Sequence, residues 1–353
     1  MDIRSVNTDN LAHAWGGPVC RGTIRHHLED FVVDEYLSFE PSGAGEHACL
    51  RIKKTDLNTA EVADVLARFA GVSPSAVGYA GLKDRKAICT QWFSVHLPGR
   101  VDPDWSGLAV AGVEILTGTR HERKLKRGAI AHNRFQIRLR QIEAASRPAL
   151  EDRLRTIQQA GVPNYFGPQR FGRGGQNVAR ALDMFAGRPR RLSRHKQSLY
   201  LSAARSFLFN EILSQRVSRG CWAEAMPGEV FNLAGSRSVF VPEPSRQDDV
   251  LLLPQRLQQG DIHPTAALWG RGVSQAIEEL ADLEQAVAAH WPELTRGLEA
   301  SGLTQDRRAT RLAVKNLSWT FGNDIDELTL AFELGSGAFA TAVLRELIKE
   351  NAV

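Results

Sequence analysis

Cysteine is scarce: four in 353 residues, and Cys20, Cys49, Cys89 and Cys221 fall in unrelated contexts. No C-x-x-C pair occurs, which excludes a zinc ribbon or a thioredoxin-type redox motif and leaves reduced thiols as the simplest reading. No apolar stretch approaches the roughly 20 residues needed to span a bilayer. The opening MDIRSVNTDN has neither the basic segment nor the apolar run of a secretory signal, so a cytoplasmic protein is expected. Familiar catalytic motifs are missing too. Without G-x-x-x-x-G-K-[ST], the segment GYAGLKD is not a P-loop. The ten histidines show no HExxH or comparable metal spacing, and there is no G-x-S-x-G elbow.

What is present points to a globular protein with a polyanionic partner. The length suggests about two domains with enough apolar residues to bury both. The formal charge is only +4, but the pI is near 9.0 and the cations cluster. RHERKLKR (120–127) and RPRRLSRHK (188–196) each concentrate Lys and Arg, enough to neutralise several phosphates if they face one groove. Each also reads as an ordinary solvated charged face.

The first part alternates strands and helices. In HACLRIK, Ala48, Leu50 and Ile52 share one face and Cys49, Arg51 and Lys53 the other, the period of a half-buried strand. NTAEVADVLARFAG follows as a helix, capped by Asn58 with Glu61, striped by Val62, Val65, Leu66 and Phe69, and ended by Gly71. A strand is expected over 87–95. In NRFQIRLR, Phe135, Ile137 and Leu139 alternate with Arg134, Gln136, Arg138 and Arg140, giving a basic outer face. From about 160 to 310, Gly- and Arg-rich loops surround helices such as YLSAARSFLFNEILSQRV, with Leu201, Ala204, Leu208 and Ile212 at helical spacing. Strand pattern returns in ELTLAFEL (Leu328, Leu330, Phe332, Leu334). The GSGAF turn then leads into a helix expected to contain Val343, Leu344, Leu347 and Ile348. Strands at both ends around a helical block suggest an insertion.

Two constellations stand out. In VGYAGLKDRKAICTQWFSV, Asp84 sits in a glycine-containing turn crowded by Lys83, Arg85 and Lys86. Such cations would keep a carboxylate ionised, as a nucleophile or base requires; an Asp that merely closes its own turn is the competing reading. PNYFGPQRFGRGG (163–175) combines Tyr165, Phe166 and Phe171 with Arg170, Arg173 and glycines. Those residues could stack on bases and hold phosphates, or could form a tight structural loop whose aromatics plug the domain junction.

These residues carry a resemblance. The chain resembles the TruD family of tRNA pseudouridine synthases: its G-x-K-D motif matches Gly81, Lys83 and Asp84, and its N-Y-F-G-x-Q-R-F-G motif runs uninterrupted over 164–172. EDFVVDE, GAIAHNRF (128–135), LSAARSFLFN (201–210) and GSGAFATAVLREL (335–347) extend the likeness over nearly the whole chain. The resemblance implies an α/β fold, a largely antiparallel mixed sheet of pseudouridine synthase type in segments 1–158 and 309–353, with an inserted α/β TRUD domain at 159–308. It implies Asp84 as catalytic nucleophile and Phe31, Asn133, Phe135 and Phe339 as substrate-contacting residues. Arg25 would pair with Asp84, where the family commonly has Lys; Leu28 stands where the family has Pro. The implied reaction is isomerisation of uridine 13 in the D arm of tRNA, by a monomer, with no cofactor and no metal. A non-catalytic RNA-binding or tRNA-folding chaperone is the alternative.

Overall fold

Strand formation follows the apolar alternation closely. The computed structural model describes residues 6–188, 191–243, 247–322 and 326–351, which divide into two compact units. One takes in 6–18, 152–313 and 338–347, the other 19–151, 314–337 and 348–351.

The second unit is built on an eight-stranded sheet. Its strands are β1 (Phe31–Leu37), β2 (His47–Thr55), β3 (Val77–Tyr79), β4 (Ile88–His96), β5 (Val113–His121), β6 (Ile130–Leu139), β7 (Lys315–Phe321) and β8 (Leu328–Gly335), with helix α1 (Thr59–Ala70) between β2 and β3. The order is β7-β8-β6-β1-β4-β2-β5, with β3 attached to β4. Only the β1–β4 contact is parallel, so the sheet is mixed and largely antiparallel, as expected.

Residues paired across antiparallel strands share a face. One face therefore carries three successive rows: Phe31–Ile137–Leu330, Val33–Phe135–Phe332, and Glu35–Asn133–Leu334. Towards β2 it continues as Ala48–Val95, Leu50–Phe93, Ile52–Gln91 and Lys54–Cys89. Helix α1 begins with the expected capping box, Asn58 N–H donating to Glu61 Oε2 at 2.6 Å, and Gly71 ends it at φ +61°. Its buried stripe is rotated from the expected one. Val62, Ala63, Leu66, Ala67 and Ala70 pack on Leu50, Ile52 and Phe93, while Phe69 lies at the margin against Trp105. The small alanines let the helix approach the sheet closely, which a Val65–Phe69 stripe would not.

Two further expectations are corrected. The C-terminal helix covers only Ala340–Leu344; Ile348–Glu350 instead pairs in parallel with Cys20–Gly22, whose strand hydrogen bonds replace the helical ones. The outer face of β6 is less basic than its sequence, because the Arg140 side chain turns back to two carboxylates. Its Nε and Nη2 each donate to Asp30 at 2.9 Å, and Nη1 pairs with Glu327.

In the other unit, Tyr165, Phe166 and Phe171 of the glycine-rich motif are buried with Ala204, Leu208 and Ile212 of the helix Arg194–Ser218. Asn210 on that helix brackets Phe166, accepting its N–H at 2.9 Å and donating to its carbonyl at 3.0 Å. The motif is structural at its aromatic positions. The basic segment 188–196 lies partly outside the described residues. No helix among the described residues is long and apolar enough to cross a membrane.

Asp30 makes a testable point. Its side chain is fully buried; burial pushes the carboxyl pKa up, but hydrogen bonds from Arg140 and the His27 N–H outweigh this and hold it below the ordinary 3.8. Because the folded value is depressed, its contribution is complete above the ordinary carboxylate range and is lost as pH falls through the folded value. Asp30→Asn, which cannot accept the paired Arg140 bonds as an anion, should cost about 1.5–3 kcal/mol near neutrality. Urea denaturation of both proteins from pH 7 to pH 2 should show this difference shrinking in acid.

Candidate active site

Asp84 lies in the middle of the loop 80–87 between β3 and β4, laid over the face of the sheet just described. Its Oδ2 accepts a hydrogen bond from Arg25 Nη2 at 2.7 Å. Among the described residues nothing hydrogen-bonds the other oxygen, and the side chain remains 38% exposed. The carboxylate is thus held by one charge-assisted bond and otherwise open, the state a nucleophile requires.

Arg25 is placed by segment 23–30. Its backbone is left-handed, φ +55°, an unfavourable conformation for a non-glycine residue that surrounding structure must enforce. Arg140 supplies that enforcement on both sides. Its main chain exchanges hydrogen bonds with Thr23 at 2.8 and 3.0 Å, and its side chain grips Asp30. The Arg25 guanidinium lies 4.0 Å from the centroid of Phe31, a cation–π contact that fixes its direction. Phe31 meets Phe135 edge-on at 6.3 Å, and Phe135 stacks on Phe332 at 5.4 Å.

The three cations beside Asp84 behave differently from the expectation. Lys83 reaches away to Glu35, with which it forms a buried ion pair, and Arg85 pairs with Asp56 at 3.2 Å. Lys86 is exposed. The partner of Asp84 comes from 59 residues away.

The loop is gripped from beneath by polar groups that no sequence motif marks out. Gln91 Nε2 donates to the Gly81 carbonyl at 2.7 Å. Thr59 Oγ1 accepts the Lys83 N–H at 3.0 Å and donates to Gln91 Oε1 at 3.0 Å. Glu35 holds Lys83 through one oxygen and accepts the Trp92 N–H at 3.1 Å through the other. Lys54 Nζ donates to the Asp84 carbonyl at 2.6 Å. All four of these residues are buried, whereas Leu82, between the anchors, is 72% exposed. The signal that could have found them is a polar residue occupying an apolar row: Lys54 after Ala48, Leu50 and Ile52; Glu35 after Phe31 and Val33; Gln91 before Phe93 and Val95.

Asn133 lies opposite Glu35 across β6 and β1, beside the Glu35–Lys83 ion pair. Its Oδ1 is buried and has no hydrogen-bond partner among the described residues. Phe31, Asn133, Phe135, Arg25 and Asp84 therefore belong to one unit and one face. Phe339 belongs to the other unit. It stands at the start of the five-residue helix Ala340–Leu344, half-buried, with Phe166 at 5.9 Å and Arg170 at 5.7 Å.

The family model for tRNA pseudouridine synthase D (TruD) matches residues 8–179 and 175–347. The chain belongs to the TruD family. It is similar to curated proteins named tRNA pseudouridine synthase D: 49% identical to one from Methylococcus capsulatus, covering 97% of this chain and 95% of the relative; 46% to one from Aeromonas salmonicida, covering 97% and 94%; and 42% to one from Hydrogenovibrio crunogenus, covering 98% and 97%. Its fold matches the crystal structure of a chain described as TruD from Methanosarcina mazei. The TM-score is 0.71 at 21% identity, covering 99% of this chain and 97% of that one. In this TruD chain the G-x-K-D segment is thus a surface loop with buried anchors, and its Asp pairs with an arginine.

Arg25→Met removes the ion pair while keeping an apolar stem over Phe31. A charge-assisted hydrogen bond contributes about 1.5–3 kcal/mol, so the single-turnover rate should fall by about 10- to 100-fold. Because both side chains keep contact with solvent, the melting temperature should stay close to wild type.

Proposed function

We propose that this chain converts uridine to pseudouridine in tRNA, at uridine 13 of the D arm, with Asp84 as nucleophile. The observation that carries the reading is the Arg25–Asp84 pair: a carboxylate held by one guanidinium at 2.7 Å, open on one side, on a loop anchored from below. The reaction breaks the bond from ribose C1′ to N1, turns the freed base, and joins C5 to C1′; the C5 proton leaves and N1 gains one. Nothing is oxidised or reduced, so one carboxylate suffices and no metal or cofactor is required.

The target must leave its stack to reach Asp84. The unpartnered Asn133 Oδ1 suits the N3–H of a flipped uracil, and its amide N–H a carbonyl of the same base. Phe31 supports Arg25 from below, Phe135 backs Phe31 within the sheet, and Phe339 offers an aromatic face for stacking. We further propose that segments 1–158 and 309–353 form the catalytic domain around an inserted domain at 159–308, and that the protein acts as a cytoplasmic monomer. A non-catalytic RNA chaperone would have no need of an exposed carboxylate so elaborately fixed.

Asp84→Asn keeps the shape and loses the nucleophile. It should abolish pseudouridine formation, measured by nucleoside chromatography of digested tRNA, while tRNA affinity and melting temperature stay near wild type. Appreciable single-turnover conversion by this variant would refute the assignment.

Within the basic segment 120–127 the roles divide. Arg120 pairs with Asp102 at 2.7 Å and Lys124 donates to the Ser75 carbonyl at 2.5 Å, whereas Lys126 and Arg127 are exposed. Lys126→Glu with Arg127→Glu should weaken tRNA binding. It should also flatten the plot of log affinity against log salt by about 0.7–0.9 for each phosphate no longer neutralised. An unchanged slope would make the segment a solvated face.

A further inference from the structure

Lys54 is the fourth member of a row whose first three, Ala48, Leu50 and Ile52, are fully buried beneath α1. It is fully buried itself. An ammonium in such a place is expensive unless its protons are satisfied, and burial accordingly lowers its pKa from the ordinary 10.5. It donates to two main-chain carbonyls, Asp84 at 2.6 Å and Leu57 at 2.8 Å, and lies beside the Cys89 thiol, which contacts the same Asp84 carbonyl more weakly at 3.7 Å. An apolar residue would complete the row at lower cost, so simple packing does not account for a lysine here.

What the ammonium supplies is geometry. Gln91 and Thr59 fix the main chain at Gly81 and Lys83, but Lys54 acts on Asp84 itself. By tying the Asp84 carbonyl to Leu57, just ahead of α1, it sets the direction of the Asp84 Cα–Cβ bond and so the aim of the carboxylate towards Arg25 and the substrate. We propose that Lys54 is a positioning residue for the isomerisation, acting through the backbone of Asp84. The proposal rests on the reading of Asp84 as nucleophile.

The test is a single-turnover assay with enzyme in excess over tRNA, on wild type, Lys54→Met, Lys54→Gln and Asp84→Asn, each well below its own melting temperature. Lys54→Met should fold and bind tRNA within about twofold of wild type. It should convert the tRNA at least about 30-fold more slowly, the scale of loss when a reacting group is displaced by an ångström or so. Lys54→Gln, which retains an N–H donor, should fall between. With saturating enzyme the rate constant does not depend on the fraction folded, so a merely structural lysine would leave it unchanged. Wild-type rate constants in the variants that fold would overturn the proposal. If Lys54→Met does not fold, Lys54→Gln decides in the same terms. Failure of both to fold would make Lys54 a folding residue and equally overturn it. Turnover by Asp84→Asn would instead remove the nucleophile reading, whatever the Lys54 variants do.

Discussion

A reactive carboxylate must be held still without being used up by the groups that hold it. Here the holding is done from below and through the main chain. Lys54, Thr59, Glu35 and Gln91 are buried polar side chains at the end of an otherwise apolar core, and each bonds the loop backbone or the Lys83 ammonium rather than the Asp84 carboxylate. Burying such groups is tolerable only if each is satisfied. The loop satisfies them, and they in turn fix the loop. Among the described residues the carboxylate is left with Arg25 alone.

Arg25 extends the same logic to the other side of the site. Its left-handed backbone and the ring of Phe31 beneath it leave the guanidinium little freedom. The segment that carries it is bracketed by Arg140, through the Thr23 bridge and the Asp30 carboxylate. One arginine just past the end of the central strand β6 therefore shapes the approach of another to Asp84. Asn133 on that same strand leaves one amide oxygen unspent, so β6 both braces the site and presents a group to a ligand.

Much of the fold was legible from periodicity. The alternation in HACLRIK, NRFQIRLR and ELTLAFEL became strands β2, β6 and β8, and the Asn58–Glu61 cap opened α1 as expected. What periodicity could not convey was which neighbour each side chain would find. Val65 and Phe69 fitted a helical stripe, yet the close approach permitted by the alanines turned the helix to bury those instead. Lys83 and Arg85 stand beside Asp84 in sequence, but their ion pairs are with Glu35 and Asp56, because adjacent residues in an extended loop point different ways. The long aromatic motif looked as much like a base-stacking platform as a structural loop, and burial of Tyr165, Phe166 and Phe171 in the core of their own unit decided for the structural role. Arg25 came from family resemblance rather than from spacing, since no local pattern connects residues 59 apart. Lys54 and Gln91 were visible as polar interruptions of apolar rows, a signal that has meaning only once the face of the strand is known to be buried.

Release of tritium from tRNA labelled at C5 of its uridines tests the central claim most directly. Forming the C1′–C5 bond must expel that hydrogen, whereas binding or refolding the RNA leaves it in place. The account predicts release by the purified protein alone, without added metal or cofactor, at one label per tRNA and with the chain uncut. Binding of the same tRNA with no release would contradict it.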